Sequence, residues 1–199
     1  MSYIKLLPLL FVALAGCSAI STYDSDPGVP LGTGGLSASA DDETAMYQKA
    51  ITALNSSQLD YAEAELKKIV KKRPEFAGPW INLALIDIKK KDLDGAYKKL
   101  GKALERNPKL PQIYNVRGFV ELSLGNPTKA AENYRQAIAL KDDYAAAHYN
   151  YALLHDIHLQ DMKIAVRHYK RYLELTKNQD KKTADWVLEL ERTIAKGTQ

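Results

Sequence analysis

The sequence predicts an all-α protein of stacked helical hairpins, on three observations. Between Pro74 and Pro108, which stand 34 positions apart, lie Trp80, Leu83, Ala84, Ala96, Leu100 and Ala103 in a helix-turn-helix spacing. The same spacing recurs on both sides. Backwards it falls on Met46, Ala50, Ala62, Leu66 and Ile69; forwards on Tyr114, Gly118, Ala130, Tyr134 and Ala137, with Asp142 where the next proline would stand. A fourth copy opens at His148, Tyr151 and Ala152 and needs one extra residue in its turn before Ala165, Tyr169 and Tyr172 come into register. Third, small residues occupy matching places in the two helices of every copy: Ala50 with Ala62, Ala84 with Ala96, Gly118 with Ala130, Ala152 with Ala165. Small side chains let two backbones approach closely. One such hairpin leaves an apolar face uncovered, so its recurrence predicts a stack.

A bulky aromatic, Leu-Ala or Leu-Gly soon after it, a small residue opening the second helix and a closing proline together resemble the tetratricopeptide repeat, the TPR. The resemblance covers roughly Asp41 to Lys177. It implies a right-handed superhelical solenoid of about four TPR helix pairs plus a C-terminal capping helix. The domain organisation expected is a lipoprotein signal peptide over 1–16, a lipidated N-terminus and flexible tether over 17–40, repeats over 41–178, and a capping helix and tail over 179–199.

In chain order, Lys5 gives the first segment a positive start, and Leu6 to Leu14 forms an apolar run too short to span a bilayer. Leu14-Ala15-Gly16-Cys17 follows and resembles the bacterial lipobox. That resemblance implies acylation of Cys17, palmitate included, and cleavage before it. More than one acyl chain anchors far more firmly than one alone. Ser18 stands where inner-membrane lipoproteins often carry Asp, so the resemblance points to the outer membrane, facing the periplasm. Ser18 to Ala40 is rich in Ser, Gly, Pro and Thr and has no apolar period. Read as a coil, it reaches on the order of 25 Å.

Asp41-Asp42-Glu43-Thr44 suits a helix start, where acids complement the helix dipole. Asn55 to Gln58 makes the first turn into a helix near Asp60–Lys72. Helix pairs are then expected near 77–90 and 93–106, 111–124 and 127–140, and 144–159 and 162–175. Pro127 stands at a helix start, where its missing N–H costs little. The last helix, about 181–195, groups Trp186, Val187, Leu190 and Ile194 on one side and Glu189, Glu191, Arg192 and Lys196 on the other. A solenoid needs such a polar-backed end.

At 46% hydrophobic and 26% charged, the composition is that of an ordinary globular chain. The net charge of +4, near +3 without Lys5, is too weak to indicate nucleic acid. Cys17 is the single cysteine, so no intrachain disulfide is available. Runs such as Lys71-Lys72-Arg73 and Lys89-Lys90-Lys91 alternate with acids and read as a solvated outer face.

The TPR resemblance also implies a concave groove lined by the first helix of each pair. Its residues here are Tyr47, Ile51, Ile81, Leu85, Asn115, Phe119, Tyr149 and Leu153. Such an apolar strip suits an amphipathic helix or an extended apolar peptide, although several of these positions also suit packing between repeats. The Lys, Asn and Arg set with which some TPR domains hold a C-terminal carboxylate is missing. Asn82 and Asn150 occupy a position where the family carries Asn for structural reasons. His148, His155 and His158 share a broad helical face, but no carboxylate pattern accompanies them and His148 fills a packing position, so no metal is expected. No cofactor motif or catalytic set is present, and Gly32-Thr33-Gly34-Gly35 precedes no strand-helix unit. The expectation is a non-enzymatic, outer-membrane-anchored periplasmic scaffold that binds a protein partner and assists an envelope complex. Its architecture is similar to pilus-biogenesis TPR lipoproteins of the type IV pilotin and Tad kinds, which points to pilus or secretin biogenesis; the alternative is an adaptor for peptidoglycan enzymes or a periplasmic protease. The oligomeric state is left open.

Overall fold

The computed structural model describes residues 38–197. The signal peptide, Cys17 and most of the tether expected from the sequence lie outside these residues. Among the described residues the chain forms nine helices: α1 (Ala38–Asn55), α2 (Leu59–Lys72), α3 (Ala77–Lys89), α4 (Leu93–Arg106), α5 (Pro111–Ser123), α6 (Pro127–Leu140), α7 (Ala145–Ile157), α8 (Met162–Leu175) and α9 (Lys181–Gly197). The ends agree with the sequence pattern to within about three residues. The largest difference is at α1, which starts at Ala38 inside the segment read as tether; Ala38, Ser39 and Ala40 include no helix breaker.

Each helix packs on its neighbours in sequence, and the first helices of successive pairs also touch: α1 with α3, α3 with α5, α5 with α7. The core is therefore a chain of local clusters. One joins Ala50, Ala62 and Leu66 of the first pair to Leu83 and Ile86 of α3. The next joins Ile81, Ala84, Ala96 and Leu100 to Ile113, Val116 and Val120 of α5. A third joins Ala130 and Tyr134 to Tyr151 and Leu154, and the last joins Ala152, Ala165 and Tyr169 to Val187 and Leu190 of α9.

The turns inside the pairs repeat as strictly as the core. A left-handed residue occurs at Ser57, Lys91, Gly125 and Gln160, spaced 34, 34 and 35 positions. In the first three turns an N–H reaches back five residues: Gln58 to Ala53, Asp92 to Asp87 and Asn126 to Glu121, at 2.8, 2.8 and 2.9 Å. These are the long bonds of a helix C-terminus closed by a left-handed residue. The fourth turn holds the extra residue, and its Asp161 N–H reaches back six, to His155 at 2.9 Å. The starts of α4 and α8 are capped by Asp92, accepting from Gly95 N–H, and Asp161, accepting from Ile164 N–H.

The small residues do as expected, with one refinement. Seven of the eight are alanines with no exposed surface. Gly118 makes room less for Ala130 than for Tyr134, one turn further along α6. A Cβ on Gly118 would lie 2.6 Å from that buried ring. Gly101, in the middle of α4, has nothing within 4 Å of such a Cβ. Two glycine-to-alanine changes should therefore differ in sign. Gly118→Ala overpacks the α5–α6 contact and should destabilise by about 1–3 kcal/mol. Gly101→Ala improves helix propensity and should stabilise by about 0.5–1 kcal/mol. Urea unfolding of the two variants checks both.

Candidate functional site: the strip of first helices

The eight residues expected to line the groove lie on α1, α3, α5 and α7, and burial divides them. Ile81, Leu85 and Asn115 are 0, 3 and 2% exposed. Ile81 and Leu85 pack with Ala84, Val116 and Val120. These three are interior residues, and the sequence expectation of a contact role is corrected for them: α3 lies between two neighbouring first helices and is buried almost throughout. Tyr47, Ile51, Phe119, Tyr149 and Leu153 remain half-buried and make up what is left of the strip, on α1, α5 and α7.

Side-chain amides tie the strip across repeats. Asn82 Nδ2–H donates to Tyr47 Oη at 2.7 Å, and Asn150 Nδ2–H donates to Asn115 Oδ1 at 3.0 Å. The same helix position thus bridges α3 to α1 and α7 to α5. Asn115 is engaged in this bridge rather than offered as a free polar point. Burial pushes the Tyr47 phenol up to about 12, partly offset by the Asn82 bond. Asn82 Oδ1 and Gln112 Oε1 are buried acceptors with no partner among the described residues.

The bulky residue that opens each of the last three copies has a second role, invisible in the spacing. Trp80 Nε1–H donates to Pro74 O at 3.1 Å and Tyr114 O–H donates to Pro108 O at 3.0 Å, six residues back in each case. His148 Nε2 meets Asp142 O, also six back, at 2.9 Å. A carbonyl only accepts, so His148 carries its proton on Nε2. Its Nδ1 is then the acceptor in the 2.9 Å contact with His168 Nδ1, which must donate. The structure therefore groups His148 with His168 of α8, stacked at 5.1 Å, and not with His158, which is exposed beyond the end of α7. Tyr151 touches the rings of His155 and His168. Among the described residues no group of three or more His, Cys, Asp or Glu is placed to hold a metal ion.

The far end of the strip holds residues that the repeat pattern does not single out for function. Asp156 of α7 accepts from Trp186 Nε1–H at 2.6 Å and from Tyr169 O–H at 3.3 Å. The sequence pattern places Trp186 inside with Val187 and Leu190. It is instead 42% exposed, drawn across to Asp156, while Val187 and Leu190 are buried. One sequence signal points to this end: Tyr172 stands where the two preceding copies carry Ala103 and Ala137, a large ring in a small slot. On the outer helices, the basic runs are partly neutralised by Lys67–Glu63, Lys68–Glu65 and Lys90 with both Asp60 and Glu63, all at 2.6–2.7 Å. Lys67 and Lys90 hold the Glu63 carboxyl down at about 2.

Residues 117–180 match the sequence model of the tetratricopeptide repeat. The mitochondrial import receptor subunit TOM70 of Homo sapiens is 30% identical over 118 residues, covering 58% of this chain and 19% of TOM70, so this chain spans about a fifth of that relative. Among solved structures, TTC0263, a thermophilic TPR protein of Thermus thermophilus, superposes with a TM-score of 0.65 at 23% identity, over 74% of this chain and 80% of that one. The structure of Pseudomonas aeruginosa PilF gives 0.67 at 19% identity, over 77% and 71%. The first TPR of RPAP3, bound to an HSP90 peptide, gives 0.55 at 20% identity, over 60% and 93%. The described chain is an all-α TPR superhelix with a C-terminal helix, the kind of solenoid that presents an extended surface to other polypeptides.

The histidine cluster has a pH consequence. Burial, with His148 and Arg167 adding to it, lowers His168 to about 4, and burial also lowers His148 and His155. In the unfolded chain these rings titrate near 6.5. Their neutral forms are favoured by folding, so the stabilisation is complete above about 6.5 and is lost as pH falls towards 4. The urea midpoint should decline between pH 7 and 4. His148→Tyr, which keeps a donor for the Asp142 carbonyl, should flatten that decline.

Proposed function

We propose that this chain is a lipid-anchored scaffold of the bacterial envelope that docks another polypeptide along its strip of first helices and assists assembly of an envelope complex. The observation that carries the reading is the half-buried set of Tyr47, Ile51, Phe119, Tyr149 and Leu153 on three of the four first helices, α1, α5 and α7. An apolar strip of this kind suits an amphipathic helix or extended peptide. The lipobox at Leu14 to Cys17 supports a lipid anchor, Ser18 after it supports the outer membrane on its periplasmic side, and the sequence read as a tether supports a domain held just off that surface. A place in pilus or secretin biogenesis is compatible with the likeness in fold to PilF. We read the chain as a non-enzyme that works by binding.

Crosslinking tests the docking surface. A photoreactive residue at Phe119 should capture a discrete protein in cells, whereas one at Gln136, exposed on α6, should not. Ile51→Asp with Leu153→Asp should remove the Phe119 adduct while the melting midpoint stays within a few degrees. If the adduct persists, the strip is architecture only. Secretin fragments in the adduct support the pilus assignment; peptidoglycan enzymes or a periplasmic protease replace it with the adaptor reading. The anchor has its own test: Cys17→Ser should abolish palmitate incorporation and move the protein from the membrane pellet to the soluble fraction, and a variant that stays in the pellet removes the anchor.

A further inference from the structure

The end of the strip formed by α7, α8 and α9 sets two carboxylates among aromatic side chains. Elsewhere some buried or partly buried acids have cationic neighbours, as Glu63 has Lys67 and Lys90 and Asp87 has Lys99, and others have neutral donors, as Glu121 has Asn126 Nδ2–H at 3.0 Å. Asp156 and Asp180 have no cationic partner among the described residues. The groups that meet them are neutral donors. Trp186 Nε1–H and Tyr169 O–H reach Asp156; Tyr172 O–H, at 3.3 Å, and Thr183 Oγ1–H, at 2.7 Å, reach Asp180. Lys181 and Lys182 follow Asp180 into α9 but are exposed and form an ion pair with neither carboxylate.

Tyr149 joins the two acids into one patch. Its ring lies edge-on to Tyr169 at 5.7 Å and tilted against Tyr172 at 4.9 Å. Its hydroxyl makes no hydrogen bond within the described chain. Burial raises its pKa, and the charges of Asp180 and Asp156 raise it further. Trp186, exposed over 42% of its surface, forms the outer wall. Two carboxylates without counter-ions beside half-exposed aromatic faces have the chemistry that attracts a cation: the charges draw it, and the ring faces hold it as it sheds water. The net positive charge of the chain excludes a general acidic field as the source of that attraction.

We propose that this patch receives a basic side chain, Arg or Lys, of the polypeptide docked along the strip, and so sets the register and direction of that polypeptide. The proposal rests on the docking reading above. Asp156 and Asp180 supply the charge, and Tyr149, Tyr172 and Trp186 the aromatic contact. Tyr169, being buried, positions Asp156. The apolar residues Ile51, Phe119 and Leu153 hold the rest of the partner without choosing its direction.

The two indole N–H groups allow a site-resolved test, because Trp186 donates to Asp156 and Trp80 to the Pro74 carbonyl. The full chain, 15N-labelled on tryptophan, is titrated with a tetra-arginine peptide and with its neutral tetra-citrulline counterpart; Trp186→Phe assigns the two signals. The arginine peptide should shift the Trp186 signal and leave Trp80 in place, and the citrulline peptide should shift neither. Affinity should fall about tenfold or more in Asp156→Asn, which keeps an acceptor for the indole, and in Tyr149→Leu. It should fall again as salt rises from about 50 to about 500 mM. An unmoved Trp186 signal, equal shifts with citrulline, or unchanged affinity in both variants overturns the proposal. If Trp186 fails to respond while the Phe119 adduct survives, docking stands without a basic anchor. The reverse pattern removes docking along the strip and leaves the patch as a cation site.

Discussion

A hairpin of two short amphipathic helices has more apolar surface than its two members can cover for each other. Everything else in this protein follows from how that surplus is covered. Within a pair, Ala50 and Ala62, Ala84 and Ala96, and Ala152 and Ala165 share clusters and have no exposed surface, so the backbones come close and little apolar area is left between them. What remains uncovered faces the next first helix, which brings Leu83 and Ile86, or Ile113, Val116 and Val120, to close it. Burial of each such side chain contributes on the order of 1.5–3 kcal/mol. No pair can collect that contribution alone, so the stability of each repeat belongs partly to its neighbour.

The polar interactions obey the same period and divide the work. Packing sets how close the helices come, but it leaves them free to slide and twist. The bonds from Trp80, Tyr114 and His148 to carbonyls six residues back pin the chain where it enters the second, third and fourth pairs. The asparagine bridges pin one first helix to the previous one. The five-residue reach at each of the first three inner turns pins the exit. Helices tied at their ends, and in two of the three steps also across the middle, keep their relative register.

Helix number, helix ends and the extra residue of the fourth turn were legible in the sequence because each leaves a mark at a fixed spacing. The burial of Ile81 and Leu85 was not. The family position that points inward from a first helix says nothing about how tightly neighbouring first helices close over it, and in α3 they close over nearly all of it. The histidines show the same limit. Spacing along α7 groups His148 with His155 and His158, but the partner of His148 comes from α8, twenty residues away. Periodicity reads positions along one helix; it does not read which side chain of the next helix fills the gap. The position of Trp186 escapes the pattern for a related reason, since an indole N–H near a half-buried carboxylate gains more by reaching Asp156 than by joining Val187 in the core.

Where the repeat is kept, a residue is explained by the repeat, and a function specific to this protein must come from departures. Those departures gather at the C-terminal end. The turn before α8 is one residue longer, Tyr172 fills a slot that holds alanine in the two preceding copies, Trp186 leaves the core, and aromatic donors meet two carboxylates. Local rules are most often broken where a site requires it. The fourth pair is matched to α9 in particular, its tyrosines and Asp156 through the indole of Trp186 and through Asp180, which starts α9 and is held by Tyr172. The helix that closes the solenoid therefore also builds the most distinctive surface on it. A change in how α9 seats would be felt first at that surface and only afterwards in the stack.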